Sequence, residues 1–139
     1  AATDMLAEAK LTPELRNEAL YFRAKAYLNQ QADKKAMNDL QALAKDTRTL
    51  YGAEAKYLVA LQLYKAHEYA AAEKEILNFI EQSTPHAYWL ARSFILLSDV
   101  YVAMDKKLDA RQYLLSLQQN YHADDDIEQM INERLEKLK

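Results

Sequence analysis

Residues 88–117 read YWLARSFILLSDVYVAMDKKLDARQYLLSL, and the rest of the chain is organised around this stretch. Its apolar spacing predicts two antiparallel helices joined by a tight turn at residues 104–107. Ser98, Tyr101, Ala110, Leu114 and Leu117 follow one another at steps of three, nine, four and three. The same steps recur upstream in Ala24, Tyr27, Ala36, Leu40 and Leu43, and again in Ala60, Leu63, Ala72, Ile76 and Phe79. Residues three or four apart share a helix face. A small residue where two helices cross lets the backbones approach, and the large residue beside it fills the remaining space. One such hairpin cannot bury its apolar face alone, but stacked copies can.

The pattern resembles the tetratricopeptide repeat, which sets a small and a large residue on its first helix and opens its second with a small one. The copies are offset by 36 and 38 residues, against about 34 in the typical repeat. That longer period is similar to variants in cell-envelope assembly proteins of Gram-negative bacteria, so the resemblance implies a bacterial, periplasmic or envelope setting. It covers roughly residues 17–121. Two departures stand out. The family often places Gly in the turn within each hairpin, where this chain has Gln31, His67 and Asp105. A bulky apolar residue usually stands near the start of the first helix; Leu20 and Phe94 fit, Lys56 does not, and Tyr57 is expected to take over its packing.

Bulk properties agree with helices. The chain has 139 residues, half of them apolar, with one Gly and two Pro, too few turn residues for a β-rich domain. Net charge is −3, and no Lys/Arg block exceeds a pair, which argues against nucleic acid and against an anionic membrane surface. There is no cysteine, so disulfides and thiolate chemistry are excluded. No apolar run approaches the ~18 residues of a membrane span.

The expected organisation is a single all-α domain. A helix at 1–10, with Met5, Leu6 and Ala9 on one side, is either the remnant of an upstream hairpin or an N-terminal cap. If it is structural, its removal lowers stability. Three repeats follow at 13–45, 50–82 and 86–121, then a capping helix at 125–139. Thr12-Pro13 is a start signal, a hydroxyl cap followed by Pro at the first helical position. Ser83-Thr84-Pro85 repeats the same order. Asp125 and Glu128 have capping-box spacing. Ile127, Met130, Ile131, Leu135 and Leu138 form one stripe, with charge on the opposite face. The whole is expected as a superhelix of about eight helices.

No catalytic motif is visible: no nucleophile triad, phosphate loop or HExxH pattern. His67, His86 and His122 share no metal-ligand spacing, and Asp124 to Asp126 lack the frame of a calcium loop. No cofactor is indicated. The tyrosines are more informative, since there are ten of them to a single Trp. In the family the first helices line a concave groove. By that resemblance the groove positions are Glu18, Tyr21, Lys25, Leu28 and Asn29, then Glu54, Tyr57, Leu61, Tyr64 and Lys65, then Arg92, Ile95, Asp99 and Val102. Tyr21 and Tyr57 are equivalent and are expected to stack as a ladder, with Arg92 partly neutralised by Asp99. Either these rings grip a peptide, or they pack between neighbouring repeats. The expected role is a non-catalytic scaffold holding a protein or peptide segment, including another part of the same polypeptide, with self-association through the N-terminal end. The competing expectation is a terminal stack of a longer solenoid with no ligand of its own.

Overall fold

A computed structural model describes residues 12–139; the helix expected at 1–10 lies outside the described residues. Those residues form α1 (Pro13–Asn29), α2 (Asp33–Leu43), α3 (Leu50–Lys65), α4 (Tyr69–Glu81), α5 (Ala87–Ala103), α6 (Lys107–Asn120) and α7 (Ile127–Lys137). The fold is all-α, with no strand among the described residues. Among the described residues each helix packs only on helices one or two places away in the chain: α1 on α2, α3 on α4, α5 on α6, then each pair on the next.

The small-residue positions are where helices meet. Ala24, Ala36, Ala72 and Ala110 are 0% exposed, and Ala60 and Ser98 are 1% exposed. Leu40, Ile76, Phe79 and Leu114 are fully buried beside them. One core runs through all three hairpins. A second, of Ala91, Ile95, Leu114, Leu117, Ile127 and Ile131, joins the third hairpin to α7. The outward residues of α7, Glu128, Gln129, Asn132, Glu133 and Glu136, are exposed.

The turns answer the missing glycines. Gln31, His67 and Asp105 all adopt the left-handed conformation, at φ 59, 61 and 60°. In each hairpin the amide two residues past the capping residue reaches back: Ala32 N–H to Tyr27 O at 2.8 Å, Glu68 N–H to Leu63 O at 2.9 Å, Lys106 N–H to Tyr101 O at 2.7 Å. This is one helix-ending geometry used three times, normally served by Gly. A left-handed residue with a Cβ costs about 1 kcal/mol. The Gln31 side chain makes no hydrogen bond with any described residue, whereas His67 Nδ1 lies 2.6 Å from the Tyr69 hydroxyl. Gln31→Gly is therefore expected to raise stability by about 0.5–1 kcal/mol in urea unfolding, and His67→Gly to gain less. An unchanged or lower midpoint for Gln31→Gly would show that the turn carries no strain.

Start signals behave unequally. Thr12 caps α1 by accepting the Leu15 amide at 3.2 Å, with Pro13 following. Thr84 does not cap α5, which begins after His86. Its hydroxyl instead donates to Thr47 O at 2.6 Å. With Thr47 Oγ1 to Gln82 Oε1 at 2.8 Å and His86 Nε2 to Arg48 O at 2.9 Å, it stitches the link at 44–49 to the link at 82–86. The expected capping box at α7 is also replaced. Asp125 accepts the Ile127 amide at 2.9 Å and the Tyr121 hydroxyl at 2.5 Å, so it closes a turn rather than pairing with Glu128.

Candidate functional site

The first helices α1, α3 and α5 lie next to one another, and equivalent residues meet at each junction. At the first, the Tyr21 ring packs on Tyr51, centroids 4.5 Å apart. The Tyr21 hydroxyl donates to the Glu54 carboxylate at 3.0 Å, and Lys25 Nζ reaches Glu54 Oε2 at 3.2 Å. Burial and then the Glu54 charge push the Tyr21 phenol up to about 12, so it stays a neutral donor.

At the second junction Tyr57, 36 residues on from Tyr21, packs on Trp89, which stands 38 residues on from Tyr51. Arg92, 38 residues on from Glu54, takes the carboxylate's place: its Nη2 donates to the Tyr57 hydroxyl at 3.2 Å. The same seat thus holds an acceptor in one junction and a donor in the next, and the phenol serves both because it can donate and accept. Arg92 also donates to the Tyr88 hydroxyl at 3.1 Å, and its guanidinium carbon lies 5.3 Å from the Tyr57 ring centre.

This geometry corrects several expectations. Tyr21 and Tyr57 do not form a ladder with each other; each packs on the aromatic residue of the next hairpin. Arg92 is not neutralised by Asp99 but pairs with Asp126 at 3.4 Å. Asp99 instead holds Arg134 of α7 through two bonds, 2.8 and 3.0 Å. Glu54, Tyr57 and Ile95, expected to line a groove, are buried at 9, 6 and 1% exposure. Lys56 is buried as well, with its ammonium on Glu75 at 2.6 Å and Asn78 at 2.8 Å.

Of the remaining expected residues, Glu18, Tyr21, Lys25, Leu28, Leu61, Tyr64, Arg92 and Asp99 are half-buried, and Asn29, Lys65 and Val102 are exposed. The most accessible part of the face is the last turn of each first helix, where exposed Asn29, Lys65 and Val102 stand with half-buried Leu28 and Tyr64. Leu28, Tyr64 and Val102 are equivalent positions, 36 and 38 residues apart, and form a row along it. Two hollows border this row. One, of about 540 Å³, touches Leu28, Asp33, Leu61, Gln62 and Lys65. The other, of about 510 Å³, touches Tyr64, Asp99, Val102 and Lys107, and Glu133, Arg134 and Lys137 of α7. Burial raises the Tyr64 phenol above its ordinary range, with the Asp99 charge adding. Lys65, Lys107 and Lys137 form no ion pair with any described carboxylate.

Lys107, Arg134 and Lys137 were absent from the sequence-based set. The repeat register cannot supply them, because Lys107 opens a second helix and the other two belong to α7, beyond the third hairpin. The histidines are engaged by neighbouring groups: His67 by Tyr69, His86 by the Arg48 carbonyl of the preceding link, and His122 by the Gln119 carbonyl. Among the described residues no group of three His, Cys, Asp or Glu is placed to hold a metal, and no helix is long and apolar enough to cross a membrane. Comparison with family models, with curated proteins and with solved structures finds no match to this chain.

Proposed function

We propose that this chain is a non-catalytic scaffold of tetratricopeptide-like build, whose α1/α3/α5 face receives a segment of another protein. The observation that carries the reading is the row Leu28, Tyr64 and Val102 with a hollow on either side. The row offers two aliphatic side chains and one phenol. Lysines at 65, 107 and 137 with Arg134 outnumber the carboxylates of Asp33, Asp99 and Glu133 around it, and Asp99 is already engaged by Arg134. Such a surface suits a segment that alternates apolar and acidic residues. Recognition lies about two turns beyond Tyr21 and Tyr57, because Tyr57 and Glu54 are taken up in holding the hairpins together.

Panning a displayed library of 12-residue peptides against the chain, and against Tyr64→Ala with Lys65→Glu, tests the reading. Enriched peptides are expected to carry apolar and acidic residues and to bind the double variant about tenfold more weakly, as loss of one aromatic anchor and one charge contact implies. Enrichment indifferent to the two substitutions, or none at all, removes the docking face. The second reading, a stack that only transmits structure, would then stand. It is favoured by the internal pairing of Glu54, Arg92 and Asp99.

A further inference from the structure

The outer face of α1 corresponds, position for position, to the faces that α3 and α5 bury against the hairpin before them. Tyr51 and Glu54 of α3 meet Tyr21 of the first hairpin, and Trp89 and Arg92 of α5 meet Tyr57 of the second. Counting back by 36 from α3 gives Leu15 for Tyr51, Glu18 for Glu54 and Phe22 for Leu58. Leu58 and its equivalent Leu96 are 9 and 3% exposed, whereas Phe22 is 53% and Leu15 42% exposed. The position that is covered twice along the chain stands open at the first hairpin, and it carries the largest of the three side chains.

We infer that Leu15, Glu18 and Phe22 form a junction face whose occupant is a helical hairpin built like α1–α2. Its second helix covers Phe22, and its first helix brings an aromatic ring to Leu15 and a hydroxyl or ammonium donor to Glu18. The donor follows from the equivalent seat, where Glu54 accepts the Tyr21 hydroxyl and the Lys25 ammonium. A second copy of the chain cannot supply the hairpin from its described residues. The outer sides of α2 and α4 are taken by α3 and α5, and that of α6 by α7. This inference does not rest on the docking row of Leu28, Tyr64 and Val102, and either can fail alone.

The test is an extended chain in which residues 1–49 are followed by residues 14–139, so that the first hairpin precedes itself at the native spacing. The second Arg16 falls where Gly52 stands and is replaced, Arg16→Gly. The extended chain is expected to melt in one transition, about 5 °C or more above the original. Phe22→Ser in its second copy should lower that midpoint by a similar amount, yet change the 139-residue chain by no more than about 1 °C, as an open surface position should. Two separate transitions, or no gain, in this chain and in a second extension carrying residues 50–87 as the added hairpin, would overturn the inference. So would a drop for Phe22→Ser in the original chain, with or without a change in its sedimenting mass. That result would mean residues 1–11 or another copy already fill the seat.

Discussion

Gly52→Ala is expected to destabilise the protein by about 3 kcal/mol or more, lowering Tm by roughly 10 °C. In an ordinary helix interior the same exchange stabilises by close to 1 kcal/mol, so the sign itself is diagnostic. Gly52 is the third residue of α3, and a Cβ placed on it would lie 1.8 Å from the Asp46 carbonyl oxygen and 2.7 Å from its carbon. Neither atom belongs to a flexible side chain that could swing away. The carbonyl is held where it is by the Thr49 hydroxyl, which donates to it at 2.9 Å while accepting the Gly52 amide at 2.9 Å. Asp46 is further tied to Arg48, whose guanidinium and amide hold its carboxyl below the usual carboxylate range. To admit a methyl group the link at 44–49 must move, and with it the Thr47 contacts to Gln82 and Thr84 that join the two links. Urea unfolding of Gly52→Ala beside Thr47→Val separates the parts. Thr47→Val loses one side-chain bond and should cost about 1 kcal/mol. A loss of similar size for Gly52→Ala would mean that the link yields freely and that the close approach does not constrain α3.

The helical layout was legible because it follows from steric rules that act within a few residues. The small positions at 24, 36, 60, 72, 98 and 110 predicted where helices cross, and all six are buried to within 1%. Helix limits came out within about two residues, since Thr12, the Ser83–Pro85 break and the polar turns mark them locally. What escaped was whatever depends on residues some 35 places apart. Arg92 and Asp99 are seven residues apart, nearly two helical turns, and looked like partners. Each instead finds an opposite charge in or beside α7, at Asp126 and Arg134. Tyr57 was placed in an open groove because its helix face was right, yet the ring is sealed by Trp89. A signal for this did exist. Tyr51 and Trp89 are equivalent to each other, as are Tyr21 and Tyr57, so two aromatic pairs at matching places pointed to inter-hairpin packing rather than to a ligand. At the turns the absence of Gly did not shift the layout, because Gln31, His67 and Asp105 accept the left-handed conformation that the helix-ending hydrogen bonds impose.

Glu75→Ala is expected to cost about 2–3 kcal/mol, while Lys56→Met costs under about 1 kcal/mol or stabilises. The two substitutions break the same ion pair, Lys56 Nζ to Glu75 Oε1 at 2.6 Å, and differ only in which charge they strand. The Lys56 side chain is 9% exposed, whereas Glu75 is 26% exposed and can turn its carboxylate to water. Without Glu75 the ammonium keeps one protein acceptor, the Asn78 amide oxygen at 2.8 Å, which is itself shared with Gln82. Methionine matches the lysine stem in length and adds no polar atom to the seat. The repeat supplies its own control. Leu20 and Phe94 occupy the position of Lys56, and Tyr113 that of Glu75. In the third hairpin Phe94 and Tyr113 meet ring to ring, centroids 5.9 Å apart. The middle hairpin can therefore use an apolar pair where it now uses a buried charge, and Lys56→Met is the simplest step toward that arrangement. Equal losses for Glu75→Ala and Lys56→Met in denaturant unfolding would show that the pair stabilises by its mutual attraction, and the argument from stranded charge would fail.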